Sequence, residues 1–151
     1  MGLDVLLAVF HHFCVFGLFV VLTAEMVLVR PDINGETVMR VVRIDAVYGM
    51  LAGLILLAGG LRLLYGVKGA AFYIHNPLFW TKLGLFVLVG LISIFSTLNY
   101  MRWRNVLRAD SNALPNDASV KATRQLIHIE LMLLFLMPIL AALMARGIGL
   151  S

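Results

Sequence analysis

Residues 9–16 read VFHHFCVF, two adjacent histidines and the chain's single cysteine inside an apolar run. Imidazole can ligate a metal, carry a proton or meet an anion. In a lipid-bound stretch it is costly, so it usually faces a bundle interior or a bound group. At ~100° per residue, Asp4, His11, Leu18 and Glu25 fall on one helical stripe with Cys14 beside it. His12 sits about 100° away, next to Phe16, Phe19 and Thr23. His11 is therefore the better candidate for the interior, and Glu25 is a candidate proton relay. The plain alternative is that both histidines are interhelical glue, bonded to backbone carbonyls or hydroxyls.

A second concentration of chemistry lies at residues 68–82, KGAAFYIHNPLFWTK. Here Lys68, His75 and Lys82 stand among four aromatic residues, with Arg62 just upstream. An interfacial aromatic belt with lysine anchors explains such a stretch. As a lid it would bring Arg62, Lys68 and Lys82 to an anionic group, with His75 as ligand or acid–base group. Further along, His128 and Glu130 lie on different faces of one helix, and His128 is a second candidate proton relay. Arg43 with Glu25, and Asp45 with His128, are expected as interhelical pairs. Met132, Met137 and Met144 are core filler before they are ligands.

The elements that must position these groups are membrane helices. The chain has 151 residues, 62% hydrophobic and 13% charged, with a mean hydropathy of +0.97. A soluble domain carries about twice that charge, so a water-facing globular enzyme is excluded. The net charge of +4 reports topology before it reports any nucleic-acid partner. Four apolar segments cover about 3–29, 42–67, 77–100 and 123–145, each long enough for a bilayer core of ~30 Å. Their length and lack of period-two alternation favour helices over barrel strands. The first lacks a basic leader and an A-x-A end, and reads as a retained helix.

Turn chemistry punctuates the segments. Arg30-Pro31 ends the first helix, and Asn76-Pro77 is an N-cap followed by an N1 proline. Asp117 or Ser119 can cap the last helix, and Pro138 is expected to kink it. Gly49-x-x-x-Gly53 offers a small face for close helix approach or dimerisation. Eight of the twelve Lys and Arg residues flank the loops near 30–43 and 102–124. By the positive-inside rule those loops are cytoplasmic and both termini periplasmic.

No phosphate loop, HExxH, CxxC, CxxCH or GxSxG pattern is present. Four histidines and basic helix ends in a small bundle fit non-covalent haem b. Imidazole from His11, His12 or His75 would be the metal ligand, and Arg62 and Lys82 would hold the propionates.

The stretches RIDAVYG, YGVKGAAFYIHNPLFWTKL and LAALMARGIG resemble a bacterial family of predicted four-helix membrane proteins with no assigned activity. The likeness covers essentially the whole chain. A weaker one is to the HemJ-type protoporphyrinogen oxidases and CopD-like membrane proteins. It rests on His11-His12, the Arg-Pro ending helix 1, the glycine-rich second helix and FWTKL. The HemJ likeness implies His11 or His12 as haem ligand and Lys82 as a matching lysine. Residues 94–100, IFSTLNY, lack the later histidine of that group.

The expectation is thus one all-α domain over residues 1–151, an up-down-up-down four-helix bundle in a bacterial cytoplasmic membrane. Its expected role is electron transfer or quinone- or porphyrinogen-linked oxidation through haem b. The rival is a non-catalytic scaffold or accessory subunit. Expected partners are the lipid bilayer, a quinone or porphyrin, and further copies of the chain, but no nucleic acid.

Overall fold

The computed structural model describes residues 2–66 and 69–148. Its helices are α1 (Gly2–Leu28), α2 (Gly35–Tyr65), α3 (Gly69–Ile74), α4 (Pro77–Ala109) and α5 (Asp117–Ala145). The four long ones are apolar enough to cross a membrane. The shortest of them has 27 residues, a length of ~40 Å, which exceeds the hydrocarbon core.

The apolar runs mark the spans but not the helix ends. The second helix begins at Gly35 rather than residue 42, because Asn34 caps it by accepting from the Thr37 amide at 2.9 Å. The third continues to Ala109, nine residues past the apolar run. Asn116, not Asp117 or Ser119, caps α5, accepting from the Ser119 amide at 2.7 Å. Asn76 caps α4 through the Leu78 amide at 2.9 Å, ahead of Pro77 as the dipeptide implied. Pro138 lies inside α5, which is assigned as one helix. The aromatic stretch contains a short helix, α3, entered through Gly69 at φ +72°, a backbone angle that favours glycine.

Interhelical contacts pair rising numbers with falling ones. Gly17 abuts Leu51, and Gly59 abuts His11. Asn99 bonds Thr123, and Trp103 bonds Ser119. Gly35 abuts Leu107, Thr97 bonds Asp45, and Phe19 stacks on Phe135. Neighbouring long helices therefore run antiparallel. They form a ring in the order α1, α2, α4, α5, with α1 opposite α4 and α2 opposite α5.

The seven-residue stripe of α1 faces inward. Leu18 and Glu25 are buried with Cys14 and Leu22, while Phe13 and Phe16 are 72% and 65% exposed on the lipid side. Val89, Ser96, Tyr100 and Trp103 make the buried face of α4. Gly49 and Gly53 meet no other helix: an added Cβ would find nothing within 4 Å at either.

Candidate functional site

At the end of the bundle that carries the α2–α4 connection, His11 turns its ring onto α2. A Cβ on Gly59 would lie 3.7 Å from its Cε1. The ring lies beside the Ile55 carbonyl of α2, but its buried Nδ1 makes no hydrogen bond of good geometry. His12 points outward and is exposed, with Nδ1 2.6 Å from the Ala8 carbonyl. The two rings meet edge to face at 5.9 Å. The stripe therefore separates the adjacent histidines as the helical spacing required.

Arg62 and Lys82 share this end and lie near enough to act electrostatically on His11 and on each other. Arg62 Nε is also buried without a partner. Among the described residues the one ion pair is Arg40 with Glu36, so no carboxylate neutralises these cations by contact. Lys68 lies outside the described residues. His75, in the turn before α4, is exposed, and its Nδ1 is 2.8 Å from the Ala71 carbonyl. Among the described residues no three His, Cys, Asp or Glu side chains gather as a metal site would. The structure thus groups His11, Arg62 and Lys82, and leaves His12 and His75 each beside a carbonyl one turn back.

A second polar centre fills the other half of the bundle. Glu25 and Glu130 are only 2% and 1% exposed. Tyr100 donates to Glu25 Oε2 at 3.0 Å, and Glu25 Oε1 is buried without a partner. Glu130 accepts from Tyr48 and from Ser96, both at 3.3 Å. Beside them Thr97 donates to Asp45 at 2.9 Å. The expected pairs of Arg43 with Glu25 and Asp45 with His128 do not form. Arg43 and His128 are exposed, while Glu25 and Asp45 are held by hydroxyl donors of α4.

Hydroxyl groups are the partners that the sequence reading missed. A signal existed, because Ser96, Tyr100 and Trp103 repeat at four and three residues on an otherwise apolar helix. His128 lies instead on an open surface with Lys121 and Arg124. Arg124 reaches the Met26 and Val29 carbonyls, both at 2.8 Å, and so closes the C-terminal end of α1.

Tyr48 and Tyr100 also form part of the wall of a cleft of about 420 Å³ between α2 and α4. The cleft reaches from Ala52 and Ser93 to Arg104, whose Nε is buried and unpartnered.

The chain belongs to the family described as "Predicted membrane protein (DUF2214)", whose model matches residues 3–149. No curated protein and no solved structure matches it.

Proposed function

We propose that this membrane protein binds haem b and transfers electrons within a bacterial cytoplasmic membrane, both termini facing the periplasm. The observation that carries the reading is the pair of buried, unpartnered nitrogens, His11 Nδ1 and Arg62 Nε, at one end of the bundle. A buried donor or acceptor left unmade costs about 1–3 kcal/mol. Two of them beside Lys82, without a paired carboxylate, fit an imidazole ligand flanked by two cations. This donor set matches a metal macrocycle that carries two carboxylates. His11 would supply a ligand nitrogen, and Arg62 and Lys82 would bind the propionates. The haem would supply one-electron chemistry, at a potential tuned by burial and neighbouring hydrogen bonds. Glu25, bonded to Tyr100, would give or take a proton near the opposite end.

The test is an absorption spectrum of detergent-purified protein expressed with ample haem supply, oxidised and then dithionite-reduced. A Soret band with reduced α and β bands supports the reading. A flat visible spectrum from helical, monodisperse protein overturns it.

A scaffold or accessory subunit is the second reading. Hydrogen bonds that tie opposite helices together favour it. It expects no chromophore, and His11→Ala to lower stability by roughly 0.6–2 kcal/mol.

A further inference from the structure

We infer that the cleft between α2 and α4 receives the dihydroxy ring head of a membrane-soluble quinol, entering from the lipid side. This goes beyond the haem reading and stands without it.

The cleft has a ligand's dimensions, about 420 Å³, within the range of small-molecule sites. It is open to the bilayer. Ile94 and Met101 on its rim are 52% and 44% exposed, and no atom would meet a Cβ on Gly49. An apolar molecule can therefore reach it without crossing water.

Its polar groups define what the head must offer. Four residues that carry hydroxyls line it, and each hydroxyl has a protein acceptor. Ser93 donates to the Gly90 carbonyl and Thr97 to Asp45. Tyr48 donates to Glu130 and Tyr100 to Glu25. The Ser93 and Thr97 oxygens still have lone pairs to present, and Asp45 Oδ2 is a further acceptor. The uncommitted donor side chain is Arg104, whose buried Nε has no partner. A head that donates from its own hydroxyls and also accepts from the guanidinium satisfies this wall.

Phosphate and carboxylate heads only accept, and would set oxygen against oxygen along most of it. Asp45 and Arg104 are not ion-paired, and one acid with one base leaves no net charge to attract an ionic head. Ser93 and Thr97 stand one turn apart, ~6 Å, close to the span between the para oxygens of a six-membered ring. A neutral, flat, membrane-soluble ring with two hydroxyls meets all these conditions.

The test is equilibrium dialysis of tritiated decylubiquinol against the full chain in dodecyl maltoside, under dithionite, whether or not the protein carries a Soret band. Wild type is expected to show saturable one-site uptake. Gly49→Leu adds bulk at the open mouth, where a Cβ meets nothing within 4 Å, and Thr97→Val removes one acceptor. Each is expected to weaken binding at least about tenfold in protein of unchanged helicity, and oxidised decylubiquinone, dialysed separately without dithionite, to bind about tenfold more weakly than the quinol. Three results would overturn the inference. One is linear uptake equal in all variants, the mark of partition into detergent. Another is quinone binding as tight as quinol. The last is full displacement by phosphatidylglycerol, which would make the cleft a phospholipid site.

Discussion

The Tyr100 hydroxyl donates to Glu25 Oε2 at 3.0 Å, from α4 to α1, helices that stand opposite each other in the ring. Tyr48 donates to Glu130 at 3.3 Å along the other diagonal, from α2 to α5. Among the described residues no backbone contact joins either diagonal pair. A phenol is long enough to reach the centre, and a carboxylate accepts it from the far side. In lipid, apolar packing between helices has no hydrophobic drive. Polar bonds made in the interior therefore help to select this arrangement of helices.

The two braces should not be equal. Glu25 has one hydrogen bond and an unpartnered Oε1, whereas Glu130 accepts from both Tyr48 and Ser96. Tyr100→Phe leaves a buried carboxylate with no donor and is expected to destabilise by about 1–3 kcal/mol. Tyr48→Phe leaves Ser96 in place and should cost about 0.5–1.5 kcal/mol. Reversible unfolding in mixed micelles, titrated with sodium dodecyl sulfate, measures both. Equal losses would mean that Ser96 does not support Glu130.

The adjacent histidines should behave differently. His11→Ala removes the ring that rests on Gly59 and, on the haem reading, is expected to abolish the Soret band. His12→Ala removes an exposed side chain bonded to its own helix, and should leave the spectrum unchanged. Gly59→Ala places a methyl in ordinary contact, 3.7 Å from His11 Cε1, and should keep the band. A spectrum lost in His12→Ala but kept in His11→Ala would reverse the assignment of the ligand.

The period of α1 carried much of this. Asp4, His11, Leu18 and Glu25 share a stripe, and a lipid environment favours polar groups on the inward face. Inward His11 and outward His12 follow directly. The apolar spans were legible for the same reason, since hydropathy reports where water is absent. The start of α2 and the end of α4 were not, because both helices continue through polar turns such as GETVMR and RWRNVLRA. The partners of Glu25 and Asp45 were also hidden. A charge-based reading looks for cations, and the bundle instead supplies hydroxyls from α4. Which hydroxyl faces which carboxylate depends on the rotation of two helices distant in sequence.

Arg124 shows that a residue counted for topology can also hold the fold. No basic side chain lies in the last turn of α1. Arg124 on α5 instead bonds the Met26 and Val29 carbonyls at 2.8 Å each. Arg124→Ala leaves both without this donor, and should cost about 1.5–3 kcal/mol, as for hydrogen bonds to a charged group. Arg124→Lys keeps the charge but loses the planar fork, and should recover only part. Hydrogen exchange of the amides of residues 26–30, 32 and 33, faster in the alanine variant than in the lysine variant, is the expected readout. Equal protection in wild type and both variants would show that the cap is dispensable.

Orientation in the membrane can be tested without any ligand. The connections at 29–34 and 110–116 share the end flanked by eight of the twelve Lys and Arg residues. Translocating them would oppose the positive-inside bias, so this end should face the cytoplasm. Asn112 and Ala71 are both exposed and lie in connections at opposite ends. With the buried Cys14 replaced by Ala, single cysteines at these two positions report the two sides. In intact cells with a permeabilised outer membrane, an impermeant maleimide should label Ala71→Cys and spare Asn112→Cys until the inner membrane is opened. The reverse pattern would invert the bundle. The His11, Arg62 and Lys82 group would then lie at the cytoplasmic end, and Glu25 would exchange its proton near the periplasmic end.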